Sequence, residues 1–247
     1  MNGNARMATW WSQAIMIGAL VAAVLLPVGA LGHRLGVWSF ETGFIFLAGG
    51  ALLALIAVLG GIAALIVALR TGRDADRPLL FVGLIVGAAI VALLFTQLSA
   101  ARSVPPIHNI STDVSDPPAF DVVVGLRGAN SNPIDYDIAA VAQVQQAAYP
   151  SIMPIVSDRT VVESFDRALE VVKSMGLEIV NVDQAAGRIE AVATSFWFGF
   201  KDDLVVRIRE RGTGSVIDLR SVSRVGVSDL GVNAKRIEEF INRFNEA

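Results

Sequence analysis

Three uncharged apolar segments occupy most of the first hundred residues, at positions 14–32, 42–69 and 78–101. A bilayer core about 30 Å thick is crossed by about 20 apolar residues in a helix, so each segment predicts a membrane span. The first segment also exceeds the apolar core of about 7–15 residues found in a signal peptide, which favours a retained helix. We expect spans over about residues 13–32, 42–69 and 78–101, within a three-helix domain of residues 1–103.

The charges between these segments predict the orientation in the membrane. Arg70, Arg73 and Arg77 surround the short connection between the second and third segments. Positively charged loops stay in the cytoplasm, so the N-terminus with Arg6 is expected there as well. Everything after Arg102 then lies outside. We expect a multi-pass protein of the bacterial inner membrane with a periplasmic C-terminal domain.

Small residues recur within the spans, and Gly83 and Gly87 stand at GxxxG spacing. Such residues let helices approach closely in lipid. They indicate either packing among the three helices or a contact with another membrane protein. No Asp, Glu, Lys, Arg or His falls within an uncharged segment, which disfavours an ion or proton pathway carried by this chain alone.

The second half, residues 104–247, has the pattern of an α+β domain. Helical spacing begins at Arg159 and ends before Gly176, and a short helix is predicted over residues 137–148. Four strands follow at about residues 177–182, 188–194, 204–211 and 215–222. A last helix covers residues 233–245, with Asn233 as its N-cap. The short turns predict an antiparallel four-stranded meander with flanking helices, in two layers.

The most distinctive polar residues surround the last predicted strand. A Ser- and Arg-rich loop that leads into a helix N-terminus suits an anion such as a phosphate, a carboxylate or a lipid head group. The alternative is an internal network of Arg and Asp side chains. Adjacent strand residues point to opposite faces, so Asp202 and Asp203 are poorly placed as an acid/base couple and are expected to form a turn pair balanced by Arg. The candidate residues are Arg220, Ser221, Ser223, Arg224, Asp229, Asn233, Arg236, Asp202 and Asp203.

Four aromatic residues lie between two predicted strands: Phe196, Trp197, Phe198 and Phe200. They either bury partly against the helices or form an exposed patch that faces the membrane or a partner. The charged side chains of the neighbouring strands, Arg188, Glu190, Arg207 and Arg209, are expected to form a solvated ladder.

Composition excludes several chemistries. The chain has no Cys, which rules out disulfides and thiol catalysis, and only two His, too few for a three-His metal site within one chain. Residues 104–247 hold fourteen Lys and Arg against twenty Asp and Glu, which disfavours nucleic-acid binding. We assign no catalytic residue, metal or cofactor from the sequence.

Several of these segments together resemble the bacterial and plastid family known as domain of unknown function 1499. The similarity is strongest at residues 220–224 and 229–237 and extends to residues 202–203, 185–191 and 108–113. It covers roughly residues 105–245 and implies no activity.

The leading hypothesis is a non-enzymatic accessory or scaffold subunit whose periplasmic domain binds another membrane protein or complex. One alternative is an anion, small-ligand or lipid-head-group binder that uses the loop of residues 220–233. A second alternative is a hydrolase or transferase. The lipid bilayer is an expected partner in each case, and the oligomeric state stays open.

Overall fold

The computed structural model describes residues 7–246 and divides into two compact units. The first unit runs to Ala100 and also contains the short segment Phe196–Gly199. The second unit runs from Ala101 to Ser195 and resumes at Phe200. Arg6, which entered the orientation argument, lies outside the described residues.

The first unit is built on three long helices, each of which contains one predicted span. They are α1 (Trp10–Arg34), α2 (Phe40–Arg70) and α3 (Arg77–Arg102). All three are long and apolar enough to cross a membrane. At 25, 31 and 26 residues they also exceed the about 20 residues that a span requires.

The glycines at GxxxG spacing lie between helices of this chain. A Cβ atom on Gly83 would lie 3.0 Å from Cγ2 of Ile15 on α1, and one on Gly87 would lie 3.1 Å from the carbonyl oxygen of Ala54 on α2. Both glycines are buried. They therefore serve contacts within the chain, which is the packing alternative raised by the sequence.

Two glycines face each other between α1 and α2. A Cβ atom on Gly29 would lie 2.7 Å from the carbonyl oxygen of Gly43, and the reverse distance is also 2.7 Å. No side chain larger than hydrogen fits between the two backbones at this level. Close packing of this kind replaces the hydrophobic driving force that is missing between helices in lipid.

A buried carboxylate fixes the beginning of α1. Oδ1 of Asp76, in the connection before α3, accepts hydrogen bonds from the backbone N–H of Thr9 at 2.6 Å and from the Ser12 hydroxyl at 2.9 Å. The Thr9 hydroxyl donates to the same oxygen at 2.9 Å. Asp76 thereby satisfies the Thr9 N–H, one of the backbone donors at the start of α1 that have no partner within the helix.

The second unit contains one six-stranded antiparallel sheet, in which β3 to β6 form the predicted meander. Two further strands pair with β6, so the sheet has six strands, two more than the predicted meander. Strands β1 and β2 are three residues each, too short for an alternating pattern to reveal them. The order is β1-β6-β5-β4-β3, with β2 also on β6. The strands are β1 (Asn109–Ser111), β2 (Ile155–Ser157), β3 (Glu178–Asp183), β4 (Arg188–Thr194), β5 (Lys201–Arg211) and β6 (Gly214–Ser223).

Four helices accompany the sheet: α4 (Val122–Gly125), α5 (Ile138–Ala148), α6 (Val161–Ser174) and α7 (Val232–Asn245). A capping box between Thr160 and Glu163 begins α6, and Gly176 follows its end with a φ of 68°. The predicted N-cap of α7 is wrong. Gly231, with a φ of 78°, occupies that position, and Asn233 is already inside the helix.

Both faces of the sheet are covered. Leu204 and Val206 of β5 belong to the hydrophobic core that includes α6 and α7. Asp203 and Val205 point the other way, yet both are fully buried. The irregular segment 112–137 covers this second face, and its helix α4 packs on β3 and β4. The two predicted layers are present, and this segment adds cover that the sequence pattern did not predict.

The facing glycines lead to a test of the helix packing. We expect Gly29→Ala to lower the thermal unfolding temperature of the full chain in detergent, because its Cβ would lie 2.7 Å from the Gly43 carbonyl oxygen. Overpacking of this kind costs about 1–3 kcal/mol. Gly49→Ala is the matched control, since no atom lies within 4 Å of the added Cβ. Equal unfolding temperatures for the two variants would contradict this packing.

Candidate functional site

The polar residues predicted around β6 fall into two groups on opposite faces of the sheet. Successive strand residues alternate in direction. Asp202 and Ser221 face α7, whereas Asp203 and Arg220 face segment 112–137. The two aspartates lie within β5, so the expected turn pair is wrong.

The group that faces α7 is centred on Asn233. Its Oδ1 accepts from the Ser221 hydroxyl at 2.6 Å, and its Nδ2 donates to Oγ of Ser223 at 2.9 Å. Arg236 donates to Oδ2 of Asp202 at 2.8 Å and to Oγ of Ser221 at 3.0 Å. Five of the predicted residues are therefore connected in one network that joins α7 to the ends of β5 and β6.

The guanidinium of Arg220 is the centre of the group on the other face. Its Nε donates to Oδ1 of Asn109 at 3.0 Å, and Nη1 donates to the carbonyl oxygen of Pro118 at 3.2 Å. Nη2 donates to the carbonyl oxygen of Ile134. Three of its five N–H groups thus serve acceptors near both ends of segment 112–137 and on β1.

Two aromatic rings also lie against this guanidinium. Its carbon is 5.3 Å from the centre of the Phe120 ring and 5.7 Å from that of Tyr136. Among the described residues, no carboxylate forms a salt bridge with Arg220. Burial lowers the pKa of Arg220 to about 10 and raises the pKa of Tyr136 to about 12. Arg220 is therefore a buried cation at neutral pH, held by carbonyl dipoles and aromatic faces.

A buried carboxylate lies between two further arginines. Asp203 accepts from Nε of Arg224 at 3.0 Å and from its Nη2 at 2.7 Å, and it also accepts from Nη1 of Arg127. Nη1 of Arg224 donates to the carbonyl oxygen of Leu126 at 2.8 Å. The fork of Arg224 is thus directed at acceptors within the chain.

Two buried acids on this face were not among the candidate site residues, although Glu190 belonged to the predicted charge ladder. Glu190 accepts from the backbone N–H groups of Asp121 at 2.6 Å and Val122 at 2.9 Å. Asp218 accepts from Nε of Arg207 at 3.1 Å and from Nη2 of Arg209 at 2.8 Å. The expected solvated ladder is wrong at Glu190, which is fully buried, whereas Arg209 is exposed and Arg188 and Arg207 are partly buried.

A signal for the cover of this face by segment 112–137 was available in the sequence. Val192, Val205 and Val222 alternate in phase with the charged residues of this face, and all three are buried. Apolar residues interspersed with charges on one face of a sheet indicate partial cover, whereas a fully solvated face is mostly polar.

The loop between β6 and α7 is held by backbone contacts. The carboxylate of Asp229 accepts from the N–H groups of Gly231 at 2.8 Å and Asn233 at 3.0 Å. The Asp229 N–H donates to the carbonyl oxygen of Ile107 at 3.2 Å. Burial raises the pKa of Asp229. The N-terminus of α7, where an anion was one predicted occupant, thus holds a carboxylate of the chain itself.

The same loop exposes three apolar side chains within six residues. Val227, Leu230 and Val232 are 78%, 48% and 45% exposed. Leu230 has a φ of 56° and is the one residue other than glycine with positive φ in the described part of the chain. None of the three was among the candidate site residues predicted from the sequence.

The aromatic residues are divided between the two units. Phe196, Trp197 and Phe198 belong to the first unit, and Phe200 begins the resumed second unit. Phe196 and Trp197 are exposed, whereas Phe198 is partly buried. The N–H of Phe200 donates to Oγ of Ser195 at 2.9 Å within the second unit.

The chemistry available at these groups is mainly electrostatic. In the described part of the chain, no three Asp, Glu or His side chains are arranged to hold a metal ion. The arginines at the end of β6 and on α7 donate hydrogen bonds to acceptors within the chain, including the carboxylates of Asp202 and Asp203.

Comparison with known proteins identifies the second unit. The family model described as Protein of unknown function (DUF1499) matches residues 109–244, more than half of the chain. The match extends from β1 into α7 and includes both polar groups. No curated protein matches the chain.

The buried guanidinium is tested most directly by a variant of similar shape. Arg220→Met would leave Oδ1 of Asn109 and the carbonyl oxygens of Pro118 and Ile134 without these donors. Each unsatisfied buried group costs about 1–3 kcal/mol, so we expect the free energy of unfolding to fall by about 3 kcal/mol or more. Circular dichroism, recorded while the full chain is heated, measures this loss of stability.

Arg211→Met, at the exposed end of β5, is the control and is expected to leave the unfolding temperature nearly unchanged. If Arg220→Met unfolded at the wild-type temperature, the structural role of Arg220 would be wrong.

Proposed function

The chain belongs to the family described as Protein of unknown function (DUF1499), and we propose that it is a non-enzymatic membrane protein whose second unit binds a protein partner in a membrane complex. The family description assigns no activity, so the proposal rests on the molecule itself. It requires a membrane anchor, for which the three apolar helices provide the length and composition. It also requires a surface on the second unit that a partner can cover.

The observation that carries the proposal is the apolar loop, defined here as Gly226, Val227, Ser228, Asp229, Leu230, Gly231 and Val232. Its three large apolar side chains face solvent, while its backbone is fixed. The Gly226 carbonyl accepts from Nδ2 of Asn132 at 2.8 Å, and the Leu230 N–H donates to Oγ of Ser228 at 3.2 Å. A preorganised apolar surface loses little entropy when a partner covers it, which favours binding.

Backbone strain at Leu230 supports the same interpretation. The left-handed conformation costs a residue with a Cβ atom about 1–2 kcal/mol, whereas Gly, Asn and Asp adopt it readily. Leu230 gains no compensating burial, since its side chain is 48% exposed. Residues held in strained backbone conformations are concentrated at functional sites. A contact made by the Leu230 side chain with a partner would explain why a leucine stands here.

The anion-binding alternative has less support. Arg220, Arg224 and Arg236 each donate to acceptors within the chain. The Asp229 carboxylate occupies the N-terminus of α7. An external anion would have to displace these contacts, and each displaced carboxylate would then need another partner.

The proposal includes a location for the second unit, outside the cytoplasm at the bacterial inner membrane. Three spans place the two ends of the helical unit on opposite sides of a bilayer. Arg70, Arg73 and Arg77 favour a cytoplasmic position for the connection between α2 and α3. The second unit follows α3 and would therefore lie in the periplasm.

The absence of Cys makes this orientation directly testable. We expect Lys173→Cys, on the exposed side of α6, to react with a membrane-impermeant maleimide in intact spheroplasts. Thr71→Cys, in the connection after α2, should react only after lysis. Both positions are exposed on the protein surface, so a difference in labelling reports the side of the membrane on which each position lies. The reverse pattern of labelling would place the second unit in the cytoplasm.

Partner binding is tested with a variant that removes the Leu230 side chain without harming the backbone. The full chain is purified from its native membrane in mild detergent, and co-purified proteins are identified by mass spectrometry. We expect a stoichiometric partner with the wild type, and about tenfold less of it with Leu230→Asn, as for a contact worth about 1.4 kcal/mol. Asn tolerates positive φ, so the unfolding temperature should stay the same or rise.

Val162→Asn is the matched control, because Val162 is an exposed apolar residue on α6, outside the apolar loop. It should retain the partner. Equal recovery of the partner with Leu230→Asn and with the wild type would refute the role of the loop. Purification of the wild type without any stoichiometric protein would refute the proposed function.

A further inference from the structure

The segment Phe196–Gly199 is part of the compact unit formed by the membrane helices. The Phe198 ring lies 5.3 Å from the ring of Phe44 on α2. Arg34, the last residue of α1, donates from Nη1 to the Phe196 carbonyl oxygen, and its guanidinium carbon lies 5.7 Å from the centre of the Phe196 ring. These contacts tie the segment to α1 and α2 through both a ring and a backbone group.

Gly199 allows the close approach to α1. Its φ is 69°, and a Cβ atom there would lie 3.2 Å from Cγ of Arg34. A residue with a side chain would be strained in this conformation and would also crowd Arg34. The segment therefore has a defined path along the helices.

Two large aromatic side chains of the segment remain uncovered. Phe196 is 72% exposed and Trp197 is 55% exposed. Their rings pack edge to face, with centres 5.2 Å apart. Together they form an apolar projection with one polar group, the indole N–H, which is the chemistry of residues found at a membrane–water interface.

The position along the helices agrees with such an interface. Arg34 ends α1, and Phe44 lies in the second turn of α2, so the segment lies at the end of the unit where these helices are connected. The hydrocarbon region ends near such a boundary, because Arg34 is the first charged residue after the apolar part of α1.

Trp38, the other tryptophan near this boundary, is turned toward the helices. Its ring stacks on Phe46 at 4.9 Å, and its Nε1 donates to the Gly29 carbonyl oxygen at 3.0 Å. Its indole N–H is therefore used within the unit. Phe196 and Trp197 supply exposed aromatic surface at the same end.

We propose that Phe196 and Trp197 insert into the head-group region of the bilayer, so that the segment is a second membrane contact made by residues far from the spans in sequence. The ligand is the phospholipid interface itself. The apolar rings enter the boundary of the acyl chains, and the indole N–H donates to lipid ester or phosphate oxygens. This contact is independent of the partner proposed for the apolar loop, because it uses a different surface.

The test places a nitroxide on the segment in the full chain, which has no natural Cys. Phe196→Cys and Trp197→Cys are spin-labelled and reconstituted in vesicles of phosphatidylethanolamine and phosphatidylglycerol. Leu59→Cys, on the exposed side of α2, is the reference within lipid, and Val162→Cys on α6 is the reference in water. We expect both segment labels to collide more with oxygen than with a water-soluble nickel chelate, as the Leu59→Cys label does.

A nickel accessibility equal to that of the Val162→Cys label would overturn the proposal, and so would protection from both reagents, which would indicate cover by protein. A second measurement avoids labelling. Tryptophan fluorescence is compared in vesicles with and without lipids brominated near the head group, for the wild type and Trp197→Phe. Brominated lipid should quench a larger fraction of the fluorescence in the wild type than in Trp197→Phe, because only the wild type has Trp197. Identical quenching in the two proteins would also overturn the proposal.

Discussion

The second unit depends on a buried guanidinium that is held by carbonyl oxygens and aromatic rings, without a salt bridge to a carboxylate in the described part of the chain. Removing Arg220 from water is costly, and the carbonyl oxygens of Pro118 and Ile134 with the flanking aromatic rings offset that cost. These acceptors belong to a segment with little regular structure of its own. Because they converge on one side chain of β6, the path of segment 112–137 across the sheet is determined by polar contacts more than by apolar packing.

In the helical unit, too, a buried charged group fixes the position of a chain segment through hydrogen bonds. Its helices pack through glycine and alanine, which permit close approach but specify little about where a helix begins. Asp76 supplies that information, since its carboxylate receives the donors of Thr9 and Ser12. In both units, a buried charged group positions a chain segment that packing alone would leave with several arrangements. This matches the idea that buried polar groups contribute specificity, at some expense in stability.

Sequence patterns predicted the elements that have a long, regular signal. The three spans and the β3–β6 meander are of this kind, as is α6 with its terminal Gly176. The strands β1 and β2 were not predicted, because three residues are too few to show an alternating pattern. The N-cap Gly231 was not predicted, because Asn233 is also a favourable N-cap residue. The polar residues around β6 were identified by type, and strand alternation could have divided them between two faces. The backbone carbonyls that bind Arg220 carry no sequence signal, since every residue has one.

The pairing of β1 with β6 imposes an order of events on a chain that emerges from the ribosome N-terminus first. Asn109 and Arg220 are 111 positions apart, and their contact closes the covered face of the sheet. The face cannot close before β6 has been made, because both contacts are made by β6. Until then, β1 and β2 lack the strand with which both of them pair. Long-range closure of this kind is slow and leaves apolar surface exposed until the last strand has paired.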